Sequence, residues 1–82
     1  MDKQALREAI RLKLSVRIQR MGLGEADLTD DLDLVRSGVL DSLGFVDLVA
    51  DLEGITGKRV DLEKALDRKG ATSLGGVIEL FF

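Results

Sequence analysis

Apolar residues at helical spacing constrain the fold of this chain more than any other feature of its sequence. In the segment 2–20 they recur every three or four positions, so an α-helix would collect them on one side. Basic residues are scattered over the rest of this segment. We favour a core helix with a solvated basic face over a helix lying on a membrane surface, because the apolar side is needed to build a core. The apolar residues on this side are Leu6, Ile10, Leu14, Ile18 and Met21.

The rest of the chain continues the helical pattern in three further segments. Residues 42–53 carry an apolar stripe, Asp61 can cap a short helix, and Thr72 or Ser73 can start a last one. The pair Gly75-Gly76 lowers the helix propensity of this last segment, so packing must hold it. The sequence predicts an all-α fold, a small four-helix bundle in one domain over residues 1–82. We expect three longer helices and one short helix, with a long loop between helices 1 and 2.

The long loop, residues 22–41, is the most unusual connection in this plan. Loops of this length are uncommon in compact domains unless they are functional or tied down. Its apolar residues are regularly spaced, so we expect the loop to pack over the helices. The expected anchors are Leu23, Leu28, Leu32, Leu34, Val35, Val39 and Leu40.

Two absent residue types limit the chemistry of the chain. There is no Cys, which excludes disulfides, thiolate metal sites and any thiol chemistry of the chain itself. There is no His, the usual general base for a serine nucleophile and the commonest metal ligand. A chain of 82 residues also leaves little room for a deep substrate pocket. We therefore expect a non-catalytic carrier or adaptor rather than an enzyme.

The apolar content gives no sign of a membrane or export segment. No apolar run is long enough to cross a bilayer, and the start Met-Asp-Lys-Gln lacks the apolar part of a secretion signal. We expect a cytoplasmic protein that does not insert into membranes.

Acidic residues are concentrated in the middle of the chain. Between residues 21 and 53 there are nine acidic residues against Arg36 alone, within a net charge of −3. Such a surface repels phosphate backbones, so nucleic acid binding is disfavoured, and partners with basic patches are favoured. The acids of residues 27–33 lack the order of an EF-hand loop, and we interpret them as solvated surface rather than a metal site.

The segment that begins at Asp41-Ser42-Leu43 combines a helix start with an acidic face. Ser42 could be a simple helix cap, or its hydroxyl could carry a phosphate-containing group favoured by the helix dipole. Further along this helix the residues sort into three strips. Phe45, Leu48, Val49 and Leu52 point to the core, and Asp47 lies with Asp51 on another side. Leu43, Val46 and Ala50 fall between them, where they could widen the core or form a contact surface.

The stretch 33–52 resembles the phosphopantetheine attachment region of acyl carrier proteins and of peptidyl or aminoacyl carrier proteins. Its sequence is Asp-Leu-Val-Arg-Ser-Gly-Val-Leu-Asp-Ser-Leu-Gly-Phe-Val-Asp-Leu-Val-Ala-Asp-Leu. The order of helices and the long loop match the same family, so the resemblance covers nearly the whole chain. It implies that Ser42 carries a covalent 4′-phosphopantetheine arm from coenzyme A. The thiol at the end of that arm would hold acyl or related cargo as a thioester, in fatty acid or secondary-metabolite biosynthesis.

The resemblance also implies partners and the residues that meet them. These partners are a phosphopantetheinyl transferase, followed by acyl or aminoacyl ligases, transferases and synthases with basic docking patches. The chain itself would act as a monomer and hold no metal. The implied partner-binding residues are Asp41, Leu43, Val46, Asp47, Ala50, Asp51 and Glu53.

One position departs from the fatty-acid carriers and leaves the cargo open. Gly44 stands where those carriers usually have an acidic residue, and a small residue after Asp-Ser-Leu looks more like the D-alanyl and aminoacyl carriers. The alternatives are therefore an aminoacyl, D-alanyl or peptidyl carrier. Outside this family, an unmodified small helical adaptor and an apolar-ligand-binding bundle also fit the composition.

Overall fold

The computed structural model describes residues 2–82, apart from the side chain of Glu25, and over this range the fold is all-α. Four α-helices follow one another as α1 (Lys3–Arg20), α2 (Ser42–Thr56), α3 (Leu62–Leu66) and α4 (Leu74–Glu79). A single turn of 3-10 helix, Glu25–Asp27, interrupts the long loop. The described part of the chain contains no strand, and its radius of gyration is 11.7 Å, as compact as globular chains of this length are.

Side-chain caps begin α3 and α4 where the sequence indicated, and a further cap begins α1. The carboxylates of Asp2 and Asp61 accept from backbone N–H groups of the first turns of α1 and α3. Ser73, rather than Thr72, caps α4 through a hydrogen bond from Gly76 N. These caps satisfy donors that have no partner within the helix.

The lengths of the last helices differ from the expectation of three longer helices. The structure has two long helices, of 18 and 15 residues, and two short ones, of 5 and 6 residues. The expectation was wrong for α4, which has two glycines among its six residues and therefore little intrinsic helix propensity. Helix α2 is longer than expected because it continues through Gly54 and ends only at Gly57, whose φ of 72° is a left-handed helix terminus.

A single core cluster joins α1, α2, α4 and the long loop. The i, i+4 stripe of α1 is buried as expected, but Met21 is 41% exposed. Met21 is the C-cap residue, one position beyond the last residue of α1. The buried core residues are Leu6, Ile10, Leu14, Ile18, Leu34, Val39, Leu40, Phe45, Leu48, Val49, Leu52, Leu74, Val77, Ile78 and Phe81.

Backbone hydrogen bonds tie the long loop to the start of α4. Leu34 N donates to Thr72 O at 2.8 Å, and Leu74 N donates to Leu32 O at 2.9 Å, on either side of an isolated antiparallel bridge between Asp33 and Ser73. The loop anchors expected from the sequence are all buried or partly buried in the core cluster. The prediction that the loop packs over the helices is confirmed.

The two glycines of α4 allow two segments to approach it closely, the long loop at Asp30 and the α3–α4 connection at Gly70. A Cβ at Gly75 would lie 3.0 Å from the Asp30 Cβ, and a Cβ at Gly76 would lie 2.0 Å from the Gly70 carbonyl oxygen. No side chain fits at Gly76 unless the backbone moves. The glycines that weaken α4 as a helix are therefore required by its packing.

The helices of the described range are also too short or too polar to span a lipid bilayer.

Candidate functional site at the start of helix α2

Asp33 organises the last part of the long loop, which leads to α2. Its Oδ1 accepts from the backbone N–H of Val35 at 3.0 Å and of Arg36 at 2.8 Å, and its Oδ2 accepts from the Thr72 hydroxyl at 2.8 Å. These bonds, that of Arg36 most of all, hold the pKa of Asp33 below its usual value, because they favour the ionised carboxylate. One side chain thus closes a turn and attaches it to the start of α4.

A second turn, residues 34–40, is closed by a backbone hydrogen bond and sets the direction in which the chain enters α2. Leu40 N donates to Leu34 O at 2.8 Å, and Leu34, Val39 and Leu40 are buried. Burial of residues on both sides of the turn fixes its direction. Asp41 is the first exposed residue after it.

Asp41, not Ser42, is the N-cap of α2. Its Oδ1 accepts from Gly44 N at 2.6 Å, and its carbonyl accepts from Phe45 N at 2.9 Å. The alternative in which Ser42 serves as a simple helix cap is therefore wrong: the neighbouring carboxylate already occupies that role.

Ser42 is the first residue of α2, is exposed, and has a free hydroxyl. Among the described residues, none forms a hydrogen bond with its side chain. Its backbone lies where the unpaired N–H groups of the first turn give the helix a partial positive charge. The hydroxyl is thus open to a reagent from solvent, beside a field that favours an attached anion.

The strip beside Ser42 is a surface and does not widen the core. Leu43 is 76% exposed and Val46 is 45% exposed, and Ala50 and Asp47 are exposed as well. With Asp41 and Asp51, these residues cover the outer side of α2, opposite its four buried residues. Six of the seven partner-binding residues expected from the sequence therefore share one exposed surface.

Glu53, the seventh, lies apart from the other six. It is half-buried, and its Oε2 accepts from Val60 N at 2.8 Å. The carboxylate joins the end of α2 to the segment before α3. Asp51 has a weaker contact, 3.5 Å from Lys13 Nζ, and stays 60% exposed.

Arg17 lies beside the start of α2, which the sequence pattern did not anticipate. A Cβ at Gly44 would lie 3.4 Å from Arg17 Nη1 and 3.1 Å from Asp41 Oδ1. The guanidinium of Arg17 thus lies at van der Waals distance from the position that a side chain at Gly44 would take. In the sequence, Arg17 interrupts the apolar stripe of α1 and Gly44 stands in the first turn of α2. Neither feature indicates that the two residues lie side by side.

Ion pairs with α1 neutralise part of the acidic region. Arg7 forms a hydrogen-bonded ion pair with Asp30, which lowers the pKa of Asp30 and raises that of Arg7. Lys13 contacts Asp51 as described above. Beside Ser42, Asp41 and Asp47 have no ion pair with any described residue. The negative surface is therefore smaller than the number of acidic residues indicated.

A cleft with an apolar floor opens between α1, the long loop and α4. Its volume is about 230 Å³, below the range of roughly 300–1,000 Å³ typical of small-molecule pockets. This cleft is therefore small for an apolar ligand. The residues around the cleft are Arg7, Glu8, Ile10, Arg11, Leu28 and Leu74.

Comparisons with protein-family models, with curated proteins and with solved structures found no match to this chain.

Proposed function

We propose that this protein is an acyl carrier whose Ser42 bears a covalent 4′-phosphopantetheine arm. The observation that carries the proposal is the exposed Ser42 hydroxyl, which has no hydrogen-bond partner in the described range while Asp41 caps the helix. A serine needed only to start the helix would be engaged with its backbone. The Asp-Ser-Leu resemblance supplies the identity of the group.

The chemistry of attachment belongs to a partner transferase. In its active site the Ser42 oxygen attacks the phosphorus of coenzyme A that bears the pantetheine, and the bond to the adenosine bisphosphate part breaks. The divalent metal for this step is held by that enzyme. The arm then provides the thiol that a chain without Cys lacks.

The chain's own contribution is to position the arm and to be recognised. The hydrogen bonds of Asp33 to the following turn and the burial of Val39 and Leu40 fix the position of the start of α2. The arm is therefore attached at a fixed point. Tethering raises the concentration of cargo at the next active site. Leu43 and Val46 offer an apolar contact next to Ser42, and Asp47 offers a charge to a basic docking patch.

The test is intact-mass measurement after incubation with coenzyme A, Mg²⁺ and a broad-specificity phosphopantetheinyl transferase. The parent should gain one phosphopantetheine and Ser42→Ala none. Ser37→Ala, in the same loop, is the matched control and should gain one. A folded parent that several transferases leave unmodified would contradict the proposal and favour an unmodified helical adaptor.

The type of cargo is a separate question within the same proposal. Gly44, with Arg17 beside it, gives the start of α2 a basic neighbour where fatty-acid carriers usually have an acid. Loading assays that offer fatty acyl, D-alanyl and other aminoacyl groups to the modified protein would distinguish an acyl carrier from the aminoacyl, D-alanyl and peptidyl alternatives.

A further inference from the structure

Helix α1 is apolar on two opposite sides, and the bundle covers only one of them. The inner side contributes four buried residues to the core. On the outer side Leu12 is 64% exposed and Val16 is 58% exposed, one helical turn apart. A helix on the surface of a monomer is usually polar on its outer face. The outer side of α1 therefore exposes two large apolar side chains among its polar residues.

The outer residues follow the spacing of a coiled-coil seam. Ala5, Ala9, Leu12, Val16 and Gln19 are separated by four, three, four and three positions, which is a heptad pattern. Apart from the half-buried Ala9, all of them are exposed. Val16 falls at an a position and Leu12 at a d position, a combination that in parallel coiled coils favours two strands.

Charges beside the seam select the orientation. In a parallel pair, a g residue faces the following e residue of the other helix, so Glu8 would face Lys13 of a second copy. In an antiparallel pair, e residues face each other, and the e positions Leu6, Lys13 and Arg20 include no acid that Lys13 could face. Glu8 also bonds Arg11 within its own helix, and Lys13 contacts Asp51, yet their side chains remain 47% and 34% exposed. Both can reach a second copy.

We propose that the outer side of α1 pairs with a second copy of this chain in a weak, parallel homodimer. The helix has 18 residues and spans about 27 Å, and two of its seam residues are alanines, so the interface is small. The expected dissociation constant is on the order of 0.1 mM. This conclusion departs from the monomer expected from the sequence, and it does not depend on the function of Ser42.

The first test is sedimentation equilibrium of the full chain from about 10 µM to about 1 mM. The parent should shift from monomer to dimer over this range. Leu12→Asp should remain monomeric, and the matched control Leu66→Asp, at an exposed leucine of α3, should dimerise like the parent. A parent that is monomeric throughout would overturn the proposal. If that monomer bound lipid vesicles and Leu12→Asp abolished the binding, the outer side of α1 would instead contact a membrane surface.

Charge exchange tests the orientation. Glu8→Lys and Lys13→Glu should each weaken dimerisation about 2- to 5-fold, and the double variant should restore it, because the exchanged charges again face each other. Lys64→Glu, which reverses an exposed charge on α3, should have no effect. A double variant weaker than both single variants would overturn the parallel arrangement.

Cross-linking provides an independent readout in a chain that has no Cys. Ala9→Cys places a thiol at an a position, so in a parallel dimer the two copies should form a disulfide when oxidised glutathione is added. Ala50→Cys, on the exposed side of α2, is the control and should stay unlinked. Equal cross-linking of both variants would overturn the assignment of the interface to α1.

Discussion

At the scale of single residues, Asp41 and Ser42 have different roles at the start of α2: Asp41 caps the helix, and Ser42 presents a hydroxyl to solvent. Asp41 satisfies the backbone through its bond from Gly44 N, and Ser42 is left with an exposed hydroxyl. The same local sequence thus fixes the helix start and keeps a hydroxyl exposed.

Removing the cap should destabilise the fold without removing the proposed attachment point. We expect Asp41→Ala to lower the free energy of unfolding by about 1 kcal/mol, because the Gly44 N–H loses its acceptor. Urea denaturation measures this change. Asp47→Ala, on the exposed side of α2, should change stability by less than about 0.5 kcal/mol; an equal loss in both variants would contradict the capping role.

Asp33 should make the fold sensitive to acid. Hydrogen bonds from Arg36 N, Thr72 and Val35 N lower its pKa in the folded chain. A carboxyl with a lowered folded pKa stabilises the fold above its unfolded pKa, about 3.9, and this contribution is lost as the pH falls through the folded pKa. The stability of the parent should therefore decline below about pH 5.

Asp33→Asn isolates this contribution, because the amide oxygen can still accept from the two backbone N–H groups but carries no charge. The variant should be less stable than the parent at neutral pH, and its stability should change less with acid. Asp30 and Glu8 also have lowered pKa values and contribute in the same direction in both proteins. Urea unfolding curves that differ between parent and variant by the same amount at every pH would contradict the role of Asp33.

At the scale of elements, α4 shows how packing overrides helix propensity. Its glycines lower the propensity of a six-residue helix, yet the approach of Gly70 and Asp30 requires them. The sequence alone predicted the weakness of this segment but not its cause, because a glycine pair does not indicate that Asp30 of the long loop and the carbonyl of Gly70, six residues earlier, lie against it.

Two glycine substitutions should therefore have opposite effects. Gly76→Ala should lower the free energy of unfolding by at least about 2 kcal/mol, because its Cβ would overlap the Gly70 carbonyl oxygen. Gly54→Ala, inside α2 with nothing within 4 Å of the added methyl, should raise it by up to about 1 kcal/mol. Thermal or urea unfolding of both variants measures the difference, and stabilisation by Gly76→Ala would contradict the packing described for α4.

The exposed strip of α2 should contribute to recognition rather than to folding. Leu43→Ala should leave the stability within about 0.5 kcal/mol of the parent, because its side chain is 76% exposed. We expect the same variant to slow modification by the transferase, measured as kcat/KM from the rate of mass gain. Ile55→Ala, exposed near the end of α2, is the control, and equal rates for both variants would contradict a docking role for Leu43.

At the scale of the whole molecule, the sequence predicted well those features that depend on residues a few positions apart. The stripe of α1, the caps at Asp61 and Ser73 and the buried side of α2 all follow from neighbours within two turns. The loop anchors were also predicted, but the backbone pairing of Leu34 with Thr72 was not, because sequence does not record which distant peptide groups meet. The meeting of Arg17 with Gly44 escaped prediction for the same reason.

The central claim, that Ser42 is an attachment point, is tested most directly by locating the modification. After treatment with coenzyme A and transferase, tryptic cleavage at Arg36 and Lys58 releases peptide 37–58, which contains Ser37, Ser42 and Thr56. Tandem mass spectrometry of this peptide should place one phosphopantetheine on Ser42. An unmodified peptide, or a group on Ser37 or Thr56 instead, would contradict the claim.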